Sequence, residues 1–389
     1  MQTLPKNRLL SLDVFRGITI AGMILVNNPG SWSHVYAPLR HAEWHGWTPT
    51  DFIFPFFLFI VGVAIAFSFG KYLQGEPIPK SLYTKIIRRT LILFGLGLFL
   101  QVIPVNIPAG YNWFADTLAK VRIMGVLQRI AVVYFFAAMI ALHFKLRGQA
   151  IWTIGLLAFY WLIMKLVPVP VIENGAVVKH IGSLTKDINL AAYVDTLILH
   201  GHTWQVGTYF DYDPEGILST IPAIATILIG IFTGYWLKSG KSHNTIALGM
   251  FAAGVLGLLL GALMDYGFPI NKPLWSPSYV VFMGGMALMF LAVCYYLIDI
   301  KAYTWWTKPF VIFGMNAIAL YVLAGIVTRL TLLIKVNADN VSLKQWFYQS
   351  VCVPLFGQMN GSLAFALLYI LLWLGVMTIL YRKSIFIKV

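Results

Sequence analysis

The sequence predicts an all-α, polytopic membrane bundle of about ten or eleven transmembrane helices. Two observations carry that class. Of 389 residues, 59% are hydrophobic and only 11% are charged, with a mean hydropathy of +0.78; a soluble domain carries about 25% charged residues because its surface faces water. Apolar runs of roughly 20 residues, enough helix to cross a ~30 Å hydrocarbon core, recur from end to end. No stretch shows the ~10-residue alternation of a membrane β-barrel. The whole chain, 1–389, reads as a single transmembrane domain.

Spans are expected at about 9–27, 51–70, 85–104, 122–143, 149–168, 216–237, 244–264, 277–298, 309–333 and 361–382, with a short or re-entrant element at about 342–357. The first run ends in Asn27-Asn28-Pro29-Gly30 rather than a small-x-small cleavage site, so it is expected to be retained as a span. The second opens at Asp51, behind Thr50. In the fourth, Arg122 and Arg129 are seven apart and so share a helix face. The fifth ends at Pro168, Pro170 and a Glu173–Gly175 turn. Ahead of the sixth, Asp213, Pro214 and Glu215 read as an N-cap, a proline at N1 and an acidic first turn. The eighth is entered from a loop holding Asn271, Lys272 and Trp275, and the ninth contains Asn316.

The net charge of +14 is a topology signal. Bases from Lys6 and Arg8 through Lys85, Arg88, Arg89, Lys238 and Lys241 to Arg382 and Lys388 fall on one side of the spans, opposed there by Glu76 and Asp299. The other side collects Glu43, Asp116, Glu173, Asp187, Asp195, Asp211, Asp213, Asp265 and Asp339 against fewer bases. The positive-inside rule then places both termini in the cytoplasm. Bases spread over short loops are no nucleic-acid footprint. Cys294 and Cys352 allow at most one disulfide and no metal cluster, so no metal is expected. Three outer segments are long, at about 28–50, 105–121 and 169–215, and the first and third hold His34, His41, His45, His180, His200 and His202. A connection of over forty residues is usually functional or structured. No internal repeat argues for an inverted-repeat transporter.

From Ser11 to Gly62 the chain reads LDVFRG (12–17), LVNNPG (25–30), RHAEWHG (40–46) and TDFIFPFFLFIVG (50–62). VRIMGVLQRIAVVYF (121–135), YDPEGILSTI (212–221), FPINKPLWSPSY (268–279), PFVIFGMNAIALYV (309–322) and LYRKSIF (380–386) follow in order. These blocks resemble the heparan-α-glucosaminide N-acetyltransferase family, the lysosomal enzyme and its bacterial relatives. The resemblance implies transfer of acetyl from acetyl-CoA to the amine of a glucosamine-type acceptor, in a bacterial inner membrane, by a chain that forms a homodimer. It also implies catalysis by His41 and a place in the active site for Asn27. Two departures are expected to matter. The family's extracytoplasmic N-terminal domain has no counterpart here, and His45 stands where the family's H-A-x-W-N-G pattern has Asn.

Residue chemistry adds to this. Acyl transfer to an amine needs a base, and histidine, with a reference pKa of about 6.5, suits that task; His41 is also able to accept the acetyl itself. Asn27 reads either as an oxyanion donor or as a helix C-cap. Asp51 reads as a helix N-terminal carboxylate, as the group orienting His41, or as the seat of the acceptor ammonium. Asp13 and Arg16 are three apart, which suits an ion pair, and Arg16 is also a candidate cofactor contact. Arg122 and Arg129 either bind CoA or lock the bundle, while Arg88 and Arg89 offer phosphate attraction at the cytoplasmic mouth. Asp213, Glu215, Asn271 and Trp275 are candidate sugar contacts, Trp275 by stacking. Asn316 either bridges helices or lines a cofactor tunnel. The architecture expected is a CoA-shaped tunnel with its phosphates at the cytoplasmic mouth and its acetyl group beside His41 and Asn27 near the outer face. The rival class is a secondary transporter for N-acetylglucosamine or a related sugar, which would move sugar without binding acetyl-CoA.

Overall fold

A computed structural model of the chain describes residues 9–73, 75–336 and 340–387; Lys6, Arg8, Asp339 and Lys388 of the charge pattern lie outside them. The first half contains α1 (Leu10–Asn27), α2 (Ile53–Ser68), the single turn α3 (Gly70–Leu73), α4 (Lys80–Gln101), α5 (Val126–His143) and α6 (Leu146–Leu166). A hairpin, β1 (Pro168–Glu173) and β2 (Ala176–Ile181), and the short helix α7 (Leu190–Leu199) fill the long connection. The second half contains α8 (Thr220–Leu237), α9 (His243–Asp265), α10 (Pro277–Tyr295), α11 (Lys308–Met315), α12 (Ala317–Leu333), α13 (Leu343–Phe347) and α14 (Val353–Arg382).

The fold is an all-α membrane bundle. Among the described residues, eight helices are long and apolar enough to cross a membrane, or nine if α11 and α12 count as one bent span. That is fewer than the ten or eleven expected, and α4 accounts for part of the difference. It has the length, 22 residues, but Lys80, Lys85, Arg88 and Arg89 load its first half with charge.

Four boundaries differ from the sequence expectation. α5 begins at Val126, so Arg122 precedes the helix and shares no helical face with Arg129. α8 begins at Thr220 behind Ser219, so the Asp213–Glu215 turn is not its N-terminus. The span expected at 309–333 is broken by 82° at Asn316. There the Asn316 amide donates to the Ile385 carbonyl at 3.0 Å and accepts from the Ile387 N–H at 2.9 Å. Asn316 therefore ties the break to the C-terminal segment and is not among the residues lining the two central cavities. The region expected at 342–357 is helical, as α13 and the start of α14, and bends at Gly357, whose φ is 74°.

The core is made by close helix approach. α2 lies along α8 at two glycines: a Cβ on Gly62 would come within 2.0 Å of the Ile227 carbonyl oxygen, and one on Gly230 within 2.1 Å of that of Phe59. Small residues let backbones meet in this way where lipid supplies no hydrophobic drive between helices. On the other side of the bundle, the long connection is anchored rather than loose. β1 and β2 pair antiparallel from Pro168↔Ile181 to Glu173↔Ala176, turning at Asn174 and Gly175, both with positive φ. Val169, Val171, Leu184 and Leu190 pack with Tyr160, Phe268 and Leu274 of the bundle. This fixes a cap over the end of the bundle where α1 finishes and α2 begins.

Candidate active site

Three segments converge at that end: the 37–50 loop, the first turn of α2, and the 267–276 loop before α10. The sequence around Thr48 dictates the local geometry. Thr48 and Asp51 form a reciprocal capping box, in which the Asp51 carboxylate accepts from the Thr48 N–H at 3.0 Å. The same oxygen accepts from the Ala42 N–H at 3.1 Å. The other oxygen lies 2.6 Å from His41 Nδ1. A carboxylate only accepts, so Nδ1 carries the proton and Nε2 presents its lone pair. Asp51 is buried, with 1% of its side chain exposed, whereas 47% of the His41 side chain is open. The Tyr279 hydroxyl donates to the Asp51 carbonyl at 2.6 Å and pins the turn from beneath.

Lys272 completes this group. Its ammonium lies 3.0 Å from His41 Nδ1, 3.2 Å from Nε2 and 3.6 Å from the Asp51 carboxylate. Burial lowers the Lys272 pKa, against the raising pull of Asp51 and Glu215. The loops that carry the pair are stitched together. Asn271 donates to the Trp44 carbonyl at 2.8 Å and to His45 Nδ1 at 3.3 Å, and the Gly46 N–H donates to the Ile270 carbonyl at 2.7 Å. Gly46 has a φ of 92°, a left-handed turn that suits glycine. Burial lowers the His45 pKa, with Asp265 opposing. The Trp44 indole donates to the Leu184 carbonyl at 2.8 Å, joining the site to the hairpin segment.

Asn27 ends α1 and borders the same cavity as His41, its exposed side-chain amide having no hydrogen-bond partner among the described residues. It lines two adjoining cavities. One, of about 140 Å³, is bordered by His41, Lys272 and Glu215 at its top and runs down an apolar wall of Ile20, Phe54, Phe57, Ile130 and Ile318 into the bundle. The other, of about 170 Å³, stays at the same end between α1, α4, α5 and α12 and is far more polar. Met23, Asn27, Val126, Leu127 and Tyr321 border both.

The remaining sequence candidates fall into three places. Arg122 grips Asp213 with two hydrogen bonds, at 2.8 and 2.5 Å, and also binds Glu215. Although burial works against its charge, these carboxylates raise the Arg122 pKa. Burial would push Glu215 up, but Arg122, Arg129 and Lys272 hold it below the usual carboxylate range. Burial pushes Asp213 up, with Arg122 opposing. Arg129, fully buried, donates to the Gly216 carbonyl at 3.1 Å and to the Ser219 hydroxyl, and lies 5.2 Å over the Trp275 ring. Arg122 and Arg129 thus both sit at the His41 end, Arg122 paired with two carboxylates, whereas Arg129 bonds through Nη2 alone and its Nε and Nη1 are buried without a partner.

Trp275 is 1% exposed, packs edge-on against Phe54 and Tyr279, and donates to Thr226 at 3.1 Å, so its faces are not open to a sugar. Asn271 is likewise buried, its side-chain Oδ1 accepting from the Leu274 N–H at 2.8 Å. Of the four sugar candidates, only Glu215 borders a central cavity. At the opposite end of the bundle, Arg16 pairs with Asp13 at 3.3 Å. Arg88 is exposed there on α4, and Arg89 lies over the Tyr134 ring at 4.8 Å.

Sequence reasoning missed Lys272 as part of the site and missed Arg329 altogether. Each carried a signal. Both are bases on the side that is otherwise poor in them, and Arg329 is an ionisable residue inside an apolar helix, which is by default a functional group.

The chain matches the family described as "Heparan-alpha-glucosaminide N-acetyltransferase, catalytic" over residues 8–262. It is 33% identical over 423 residues to the human (Homo sapiens) protein named heparan-alpha-glucosaminide N-acetyltransferase, covering 98% of this chain and 60% of that protein. It is 31% identical over 424 residues to the mouse (Mus musculus) protein of the same name, covering 98% of this chain and 61% of that one. The chain thus spans about three fifths of the length of these curated relatives.

Proposed function

Because this chain belongs to the heparan-α-glucosaminide N-acetyltransferase catalytic family, we propose that it is a transmembrane acyltransferase moving acetyl from acetyl-CoA to the amine of a glucosamine-type acceptor. The observation that carries the proposal is the His41–Asp51 pair with Lys272, set at the top of a cavity whose apolar wall descends into the bundle. An apolar shaft suits a pantetheine arm, and the exposed bases of α4 at the opposite end suit its phosphates.

In this mechanism Asp51 holds the His41 ring with Nδ1 protonated, and Nε2 takes a proton from the acceptor amine as the nitrogen attacks the thioester carbonyl. Asn27 donates its free amide to the carbonyl oxygen as charge develops there. A C–N bond forms, the C–S bond breaks, and His41 returns the proton to the departing thiolate. Lys272, 3.2 Å from Nε2, holds the ring between turnovers and yields its place to the amine. The Asp51 carboxylate supports this role, because it stabilises the imidazolium that proton removal creates.

The bases near Arg88, Arg89, Lys238 and Lys241 support an orientation with both termini in the cytoplasm and His41 facing the periplasm of a bacterial inner membrane. That geometry lets a cytoplasmic donor serve an outer acceptor. The test is single-turnover transfer of labelled acetyl from acetyl-CoA to glucosamine by the purified chain. Transfer that needs both substrates is expected, and no transfer at saturating acetyl-CoA would overturn the proposal.

A further inference from the structure

The polar cavity beside Asn27 is lined by hydrogen-bond donors that the protein itself does not use. Gln128, at the first turn of α5, is 1% exposed, and its Nε2 has no partner. Its carboxamide occupies space that two glycines leave for it: a Cβ on Gly97 would come within 2.2 Å of Gln128 Oε1, and one on Gly125 within 2.9 Å. Arg329 borders the same cavity from α12. Its Nε is buried without a partner, and its one hydrogen bond among the described residues is a long contact of 3.4 Å to the Gly325 carbonyl. No described carboxylate pairs with it, in contrast to Arg122, which holds two. Asn27, exposed at the join with the His41 cavity, adds a second free amide.

Buried donors left unmade are costly, more so when charged. A site with free N–H groups and an uncompensated guanidinium is therefore completed by an oxygen-rich anion. The two cavities differ in the way two substrates differ. The apolar one reaches deep into the bundle, as a cofactor arm requires. The polar one stays at the His41 end, where an acceptor arriving from that face would stop.

We propose that this polar cavity seats the acceptor and that Arg329, with Gln128, binds an anionic substituent, a carboxylate or phosphate, on the amino sugar. The inference rests on the acetyl-transfer reading of the His41 site and adds to it the class of acceptor, an acidic amino saccharide. Asn27 stands between the anion seat and His41, so a sugar held by its acid group at Arg329 presents its amine towards the base.

The test compares glucosamine with muramic acid, the same amino sugar bearing a carboxylate on its 3-oxygen, on wild type, Arg329→Gln and Arg329→Lys. Muramic acid is expected to show a kcat/KM about 10–100-fold above that of glucosamine in wild type, the scale of one charge-assisted hydrogen-bond pair. Arg329→Gln should collapse that ratio towards one, and Arg329→Lys should restore part of it. A second arm needs no turnover: muramic acid should raise the Tm of wild type more than glucosamine does, and Arg329→Gln should lose the difference. No preference for the acidic sugar in either arm would overturn the proposal. So would an Arg329→Gln variant whose acetyl-CoA Kd rises while both sugars lose kcat/KM equally, because Arg329 would then serve the cofactor's phosphates. If wild type transfers acetyl to neither sugar yet keeps the Arg329-dependent Tm shift, the acetyl-transfer reading falls and the anion seat stands.

Discussion

The Asp51 carboxylate lies 2.6 Å from His41 Nδ1 while also closing the capping box of the turn Pro49–Phe52 that leads into α2. One side chain therefore sets both the direction of a helix and the tautomer of the ring above it. A change that removes both oxygens of Asp51 is felt by backbone and chemistry together.

Replacing His41 by Ala should lower the single-turnover rate of acetyl transfer by about 10²–10⁴-fold, the cost of one general base, while acetyl-CoA still raises the Tm. Asp51→Asn preserves the cap but offers an amide to Nδ1, favouring the wrong tautomer, and should cost a similar factor. His45→Asn should be tolerated, since an amide there can still accept from Asn271. Rates near wild type in His41→Ala would remove the ring from the mechanism.

Asn27→Ala tests the oxyanion role. The free amide has nothing to release on substitution, so stability should change little, and kcat should fall about 10²–10³-fold. A variant with full kcat and a lowered Tm would mark Asn27 as a helix end only.

Lys272→Gln keeps a donor but removes the charge shared by His41 and Asp51. Loss of that clamp should lower kcat roughly 10–100-fold, as small misplacements of a catalytic group do, with a smaller change in acetyl-CoA affinity. A loss confined to acetyl-CoA binding would reassign Lys272 to the cofactor.

Asp195 supplies a pH signature. It sits under the cap on α7, where burial pushes its pKa up to about 7, and it accepts the Ile217 N–H at 2.8 Å. An acid that keeps its proton longer when folded stabilises the protein fully at low pH and loses that contribution as pH rises from the unfolded value, 3.8, towards about 7. Asp195→Asn, which can still accept from Ile217, should thus gain in Tm over wild type between pH 4 and 7 and hold that gain above. A constant difference across the range would contradict this.

Orientation is tested by labelling. A cysteine at Trp32, which is 63% exposed beside the site, should react with an impermeant thiol reagent added to intact cells, and one at Lys241 should not. The opposite pattern would invert the topology.

Much of this architecture was legible in the sequence because it follows from short-range rules. Run length gave most of the spans, and the order of motif blocks pointed to His41, Asn27 and Asp51, which lie within 25 residues of one another. What escaped was set by distance along the chain or by packing. Lys272 reaches His41 across 231 positions, and no local pattern announces such a meeting. Arg122 was placed on a helix that starts only at Val126, since apolar content alone does not locate a first turn. Trp275 reads in the sequence as a stacking contact for a sugar, but Phe54, Arg129, Thr226 and Tyr279 from four helices enclose it. The bend at Asn316 had no proline to signal it.

That bend has a consequence for how the chain is made. The Asn316 side chain finds its partner carbonyl on Ile385, 69 positions later. At a synthesis rate of about 5–20 residues per second, roughly 3–14 s pass between the two leaving the peptidyl-transferase centre. Until that later segment arrives, the interrupted span carries its amide unspent, a state that hydrocarbon penalises. The wall that α12 contributes to the cavities is therefore secured late, and assembly of the reaction chamber waits on a segment that touches neither substrate.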